Sequence, residues 1–68
     1  MLRIRQLRER KGVSLRELAR RAGVGVATLS RIESGEANPR MSTLLQLSDA
    51  LDVFVGHLFI KPSRRKGG

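Results

Sequence analysis

The chain has 68 residues, a formal net charge of +8 at pH 7, one histidine and no cysteine. That length forms one small domain. Without cysteine the chain has no disulfide, thiol nucleophile or cysteine-type zinc site, and one histidine leaves very little material for a histidine-based metal site or a Ser/His catalytic couple. We therefore expect no enzyme activity, no metal and no cofactor. No apolar run reaches the roughly 18 residues of a membrane span and no signal peptide opens the sequence, so we expect a cytoplasmic location.

Two amphipathic helices are predicted on either side of Gly12. Before this glycine, helical spacing places four residues on one face: Ile4, Leu7, Arg8 and Lys11. A glycine after the last periodic residue is typical of a helix end. After it, Ser14 to Glu17 forms a capping box, which predicts that a second helix begins at Ser14 and runs to Gly23.

A third helix is predicted after a turn of only two residues, Val24 and Gly25. Gly25 is its N-cap, Ser34-Gly35 ends it, and its buried stripe consists of Leu29, Ile32 and Glu33. A second capping box at residues 30–33 lies inside this stripe, and so we do not interpret it as a helix start.

A fourth helix is predicted to begin near Met41 or Ser42, and its inner face consists of Leu44, Leu47, Ser48 and Leu51. One or two turns of a fifth helix are expected within residues 53–60, and Pro62 bars their continuation. No strand pattern longer than a few residues appears. The sequence therefore predicts a compact all-α domain of five helices over residues 1–60, followed by a flexible basic tail over residues 61–68.

Positive charge is concentrated at the two ends of the chain. Residues 1–21 carry eight basic and two acidic side chains, residues 22–60 carry two and four, and residues 61–68 carry four and none. Clustered arginine is typical of nucleic-acid binding, although an acidic membrane surface or an acidic protein would also suit it. Two phenylalanines, without tryptophan or tyrosine, argue against base stacking on single strands.

Two short helices joined by a tight turn that contains glycine form a helix-turn-helix. Over residues 2–60 the sequence resembles the phage-repressor and Cro-like helix-turn-helix proteins, also called the xenobiotic-response-element family. The resemblance rests on Leu18-Ala19, Gly23-Val24, Leu29, Ile32-Glu33, Gly35, Asn38-Pro39, Leu44, Leu47, Ala50-Leu51, Val53 and Leu58-Phe59. It implies a lambda-repressor-like fold in which the third helix, over residues 26–34, enters the major groove of DNA.

The third helix has an outer face that suits this role, because it is small, neutral and carries one long cation, Arg31. The resemblance implies base contacts from Val26, Ala27, Thr28 and Arg31. Arg31 pairs with guanine O6 and N7 in this reading, while the two apolar side chains contact thymine methyl groups.

Contacts with DNA phosphates are expected at helix ends and in one loop. The resemblance implies them for Ser34, Asn38 and Arg40, and the amides that begin the second and fourth helices add others near Ser14 and Arg40, with Arg16 beside them. The chain departs from its relatives at Leu15, where they commonly have glutamine, and at Gly25, where they have serine.

Arg8 and Glu33 are charges on the apolar stripes of their own helices. A lone buried charge is costly, so we expect a mutual ion pair that braces the recognition helix, and the resemblance implies the same pair. The alternative is that both side chains extend to water.

An apolar cluster near the C-terminus is predicted to form a homodimer interface: Phe54, Val55, Leu58, Phe59 and Ile60. The alternative for Phe54 is that it folds back onto the fourth helix. His57, within this cluster, is expected to be a partly exposed residue and not a ligand.

The sequence thus predicts a bacterial or phage transcriptional regulator that binds double-stranded DNA, works at the nucleoid and acts as a repressor. An antitoxin with a cognate toxin as its partner and a restriction-modification controller are alternative subclasses. The alternative from another class is a protein-interaction adaptor with the same fold.

Overall fold

The computed structural model describes residues 2–59, which form four α-helices and one turn of 3₁₀ helix. The helices are α1 Ile4–Arg10, α2 Leu15–Ala22, α3 Val26–Ser34 and α4 Met41–Leu51, and the 3₁₀ turn is Val55–Leu58. The predicted all-α class is confirmed. Within this part of the chain, no helix is long and apolar enough to cross a membrane.

The predicted fifth helix is wrong in type, because the segment after α4 holds a single 3₁₀ turn. Phe59, just beyond this turn, forms an isolated antiparallel bridge with Leu2, and the Arg3 amide donates to the Leu58 carbonyl at 2.7 Å. The segment is therefore held at both ends, by α4 and by the N-terminal residues, with room for one turn between them. Ile60 and the predicted tail, residues 61–68, lie outside the described residues.

The core is assembled from all four helices and the 3₁₀ turn. α2 packs against both α3 and α4, and α4 packs against the 3₁₀ turn. Eleven apolar side chains are buried: Ile4, Leu7, Leu18, Ala19, Ala22, Leu29, Ile32, Leu44, Leu47, Leu51 and Leu58. Leu58 has no exposed surface, so its predicted place in a dimer interface is wrong. It is the side chain through which the C-terminal segment closes the core.

All four α-helices end in the same backbone arrangement. Within two residues of each helix end, a residue takes a positive φ, and the amide of the residue after it donates to the carbonyl five positions earlier. This arrangement is the Schellman motif. The residues with positive φ are Gly12, Gly23, Gly35 and Asp52. Among residues 2–59, Asp52 is the only one of this kind that is not glycine, with φ 58°.

The predicted helix starts are largely confirmed at the N-caps. The Ser14 hydroxyl accepts a hydrogen bond from the Glu17 amide at 3.0 Å, as the capping box predicts. The Glu17 carboxylate binds Arg20 and Arg21. α3 begins after Gly25, which has an ordinary extended conformation and no capping side chain.

Candidate nucleic-acid interface

The turn between α2 and α3 fixes the direction of α3. Gly23 takes a left-handed conformation at φ 70°, and Gly25 returns to an extended one, so two helices are joined across only three residues. A side chain at Gly23 would be strained by this φ. At Gly25 a Cβ atom would make an ordinary contact with Thr28 Oγ1 at 3.6 Å, so the backbone does not require glycine there.

α3 presents one face to solvent and buries the other. Leu29 and Ile32 are core residues, as predicted. The opposite side is exposed along the whole helix and consists of Val26, Ala27, Thr28, Ser30, Arg31 and Ser34. Ala27, Arg31 and Ser34 follow the i, i+4, i+7 spacing, and so they form a straight stripe along the axis. We call these three residues the outer stripe of α3.

A buried ion pair holds α3 against the N-terminal part of the fold. Arg8 donates from Nε to Glu33 Oε2 at 2.8 Å and from Nη2 to Oε1 at 3.1 Å. Its third nitrogen, Nη1, donates to the Val13 carbonyl at 3.0 Å, so one guanidinium connects α1, α3 and the α1–α2 loop. The two side chains are only 12% and 7% exposed, which is incompatible with both extending to water.

The guanidinium and the carboxylate meet edge to edge through two parallel hydrogen bonds. This geometry offsets the cost of burying two charges. The hydrogen bond to Glu33 is the main cause of a raised pKa for Arg8, and burial acts against it. Arg8 therefore stays charged at every pH at which the protein folds, and its charge is neutralised inside the structure and not offered to a ligand.

Several other surface charges are also paired. Arg5 binds Glu9 on α1 at 3.3 Å, and the Glu17 carboxylate binds Arg20 and Arg21 on α2. The hydrogen bonds from these two arginines lower the pKa of Glu17 to about 2. Within residues 2–59, the cations that make no ion pair are Arg3, Arg10, Lys11, Arg16, Arg31 and Arg40.

Comparison with known proteins identifies this arrangement. A family model described as "Helix-turn-helix" matches residues 4–53. The chain belongs to this helix-turn-helix family. The predicted resemblance is confirmed.

Among curated relatives, the chain is 48% identical over 54 residues to the HTH-type transcriptional regulator SinR of Bacillus subtilis, covering 78% of this chain and 49% of SinR. It is 40% identical over 50 residues to the HTH-type transcriptional regulator SutR of Escherichia coli, covering 74% of this chain and 28% of SutR. The chain thus spans about half the length of SinR and less of SutR.

Two solved structures superpose on this helix-turn-helix domain. The restriction-modification controller protein C.AhdI from Aeromonas hydrophila has a TM-score of 0.81 at 34% identity, covering 82% of this chain and 85% of that one. The N-terminal DNA-binding domain of SinR from Bacillus subtilis has a TM-score of 0.78 at 43% identity, covering 88% of both.

The residues predicted to contact phosphates are all exposed. Ser14 and Arg16 lie at the start of α2, and Ser34 lies in the last turn of α3. Asn38 and Arg40 line one groove between the α2–α3 turn and the start of α4, together with the predicted base contact Thr28 of α3. The groove therefore brings two candidate phosphate contacts beside α3, as expected of a helix that enters the major groove.

The same groove contains polar residues that the sequence analysis did not single out: Ser42, Thr43 and Gln46. They belong to the first two turns of α4, whose N-cap, Arg40, makes no side-chain capping bond. Their polarity is visible in the sequence, but only the packing of α4 against α2 brings them into the groove beside α3.

The predicted dimer residues are placed differently from one another. Phe54 is 80% exposed and makes an edge contact with His57, at 5.9 Å between ring centres, so it does not fold back onto α4. Phe59 is 42% exposed, Val55 is half-buried against the core, and Ile60 lies outside the described residues. The exposed apolar residues Met41 and Leu45, one turn apart on α4, were missed.

Within residues 2–59, no group of three histidine, cysteine, aspartate or glutamate side chains is placed to hold a metal ion.

Proposed function

We propose that the chain binds double-stranded DNA sequence-specifically, with α3 in the major groove, and represses transcription by covering promoter DNA. The observation that carries the proposal is the exposed outer stripe of α3, a helix that lines the groove containing Asn38 and Arg40 and is held in place by the Arg8–Glu33 pair. A protein that binds promoter DNA acts on the chromosome, so we also propose a cytoplasmic, nucleoid-associated location.

Base reading is assigned to four side chains. Arg31 supplies a bidentate donor for guanine O6 and N7, Val26 and Ala27 supply apolar surface for thymine methyl groups, and Thr28 is a secondary contact. Val26 is 42% exposed at the first turn of α3, which leaves its methyl groups accessible. A half-site with one guanine beside thymines is the expected ligand.

Backbone contacts are assigned to Ser14, Arg16, Ser34, Asn38 and Arg40. Arg16 and Arg40 make no ion pair among residues 2–59, so no intramolecular partner has to be displaced when they bind phosphate. Such contacts fix the register of the protein on the duplex and carry no sequence information.

A homodimer is the proposed binding unit, because one such domain covers too few base pairs for a specific operator, and two-fold pairing reads two half-sites. Phe54 and Phe59 are the exposed aromatic residues at the predicted interface, with Val55 half-buried beside them. Met41 and Leu45 add exposed apolar surface on α4, and Ile60 is proposed on sequence grounds alone.

A second candidate is supported by one comparison. A solved SinR–SinI protein complex contains a chain that is 47% identical, with a TM-score of 0.73 over 76% of this chain. A relative therefore assembles with another protein. An adaptor or antitoxin that binds a protein partner is the alternative for this chain, and the restriction-modification controller remains a subclass supported by C.AhdI.

The decisive experiment selects binding sites from random duplexes for the parent, Arg31→Ala and Arg10→Ala. Arg10 is an exposed cation on α1, which makes it the matched control for lost charge. Loss of a bidentate base contact is worth about 1–3 kcal/mol, so Arg31→Ala should bind the parent's site about 5- to 150-fold more weakly and lose preference at one base pair per half-site. Arg10→Ala should keep the parent's preference. A parent that selects no site, or an Arg31→Ala protein with unchanged preference, contradicts the proposal.

A further inference from the structure

Ser34 completes the outer stripe of α3, but its hydroxyl group is already engaged. Its Oγ lies 3.1 Å from the Arg31 carbonyl oxygen and 3.1 Å from Glu36 Oε2. A serine hydroxyl has one proton to donate, so donation to either oxygen removes it from a phosphate. A carboxylate thus stands at the C-terminal end of the helix that is proposed to enter the major groove.

The position of Glu36 is set by the end of α3. Gly35 takes the left-handed conformation with φ 85°, and the Glu36 amide donates to the Arg31 carbonyl at 2.9 Å. This bond closes the Schellman motif and anchors the Glu36 backbone next to the last turn of the recognition helix. The carboxylate is therefore carried at this end of α3 by backbone geometry, whatever rotamer the side chain adopts.

The charge of Glu36 also has no cationic partner within residues 2–59. The other acidic residue between positions 26 and 46 is Glu33, which is buried and neutralised by Arg8. Glu36 is exposed and lies in the loop that leads to Asn38 and Arg40, two of the proposed phosphate contacts. Glu36 is thus the one exposed acidic residue between positions 26 and 46, the stretch that also contains the exposed cations Arg31 and Arg40.

On the basis of the proposed function, we propose that Glu36 lowers the affinity of this domain for the DNA backbone. The carboxylate acts by repelling the nearest phosphate. The Ser34 hydroxyl stays engaged in either case, because the Arg31 carbonyl can accept its proton. Phosphates are the same in every sequence, so the effect is equal for the preferred site and for any other duplex. Glu36 therefore weakens binding to DNA without altering the sequence that is read.

The test compares the parent with Glu36→Gln, which keeps the shape of the side chain and removes its charge. Glu9→Gln is the control, since it makes the same charge change at an exposed site on α1. We would measure binding to the duplex selected by the parent and to a scrambled duplex of equal length, at several salt concentrations. Glu36→Gln should bind both duplexes about three- to tenfold more tightly at low salt, with a steeper salt dependence and an unchanged affinity ratio.

A Ser34→Ala background tests whether the charge alone is responsible. In that background Glu36→Gln should give the same gain as in the parent. With Ser34 present, the Arg31 carbonyl and the glutamine amide oxygen still accept its proton, so the substitution relieves only the repulsion in both backgrounds. Equal affinities for Glu36→Gln and Glu9→Gln would overturn the inference, and so would a changed site preference, which would mean that Glu36 contacts a base. Both outcomes require a parent that selects a site, so they are distinguishable from failure of the proposed function, in which the parent selects none.

Discussion

At the scale of single residues, two side chains show how local and distant effects combine. Arg8 and Glu33 are 25 positions apart, and each would be destabilising alone in its helix stripe. Asp52 ends α4 in a conformation that glycine adopts at the other three helix ends. The Arg8–Glu33 pair is a long-range contact between two charges that would each be destabilising alone. The strain at Asp52 is local, and the sequence pattern does not predict it.

Breaking the Arg8–Glu33 pair should destabilise the fold severely. Glu33→Ala leaves the Arg8 guanidinium buried without its counter-charge, which costs about 3–5 kcal/mol, a large part of the stability of a small domain. Thermal and urea unfolding measure the loss. Glu9→Ala is the control, since it breaks the exposed Arg5–Glu9 pair and should have little effect. A Glu33→Ala protein that melts within a degree or two of the parent would show that the pair contributes nothing.

Replacing Asp52 by glycine should stabilise the domain. At φ 58° a side chain is strained, and a negative charge at a helix C-terminus also opposes the helix dipole. Asp52→Gly is expected to raise the free energy of unfolding by about 0.5–1 kcal/mol. Asp49→Gly, within α4, should lower it by about 0.3 kcal/mol, because glycine has a lower helix propensity than aspartate. Urea unfolding of both variants checks the opposite signs, and a loss of stability in Asp52→Gly would contradict the argument.

At the scale of elements, α2 is the helix whose start and end the sequence specifies most completely. Ser14 caps its first turn, Gly23 ends it, and its three buried residues, Leu18, Ala19 and Ala22, lie at helical spacing. The Glu17 carboxylate adds two ion pairs within the same helix. This local specification suits the helix on which α3 and α4 both pack.

Acid should weaken α2 through Glu17. The arginine contacts lower its pKa from 4.5 to about 2, so the folded state favours the charged form. The resulting stabilisation is complete above pH 4.5 and is lost as the pH falls from 4.5 towards 2. Glu17→Gln lacks this contribution, so the stability difference between parent and variant should shrink over that pH range. Urea unfolding at pH 6, 4, 3 and 2 measures it, and a constant difference would exclude the effect.

At the scale of the whole molecule, the two proposed surfaces lie on different elements. α3 lines the groove that contains Asn38 and Arg40, whereas Phe54 and Phe59 lie in the C-terminal segment that packs on α4 and on Leu2. Separation of this kind allows two copies to associate through one surface and bind DNA with the other.

Charge at the second surface should prevent association. Phe54 is the most exposed apolar residue described, so Phe54→Glu adds a charge near the proposed two-fold axis without disturbing the core. The parent is expected to sediment as a dimer at micromolar concentration and the variant as a monomer with unchanged helical circular dichroism. Gln6→Glu, exposed on α1, is the control and should remain dimeric. A monomeric parent, or a dimeric Phe54→Glu protein, contradicts the proposed interface.

The sequence alone determined the four α-helices, most of their ends and the class of fold. The Ser14 cap, the glycine stops and the buried stripes of α3 and α4 agree with the structure because each depends on residues within one or two helical turns. The buried stripes also led to the expectation that Arg8 and Glu33 pair, since two lone charges on apolar faces need a partner.

The tertiary structure decided which residues of the last segment are core and which are surface. Leu58 and Phe59 are adjacent, but Leu58 fills the core while Phe59 pairs with Leu2, and no local pattern distinguishes them. The approach of α4 to the α2–α3 turn is likewise not visible in the sequence pattern. The physical reason is that helix formation depends on near neighbours, whereas the exposure of a side chain depends on the part of the chain that packs over it.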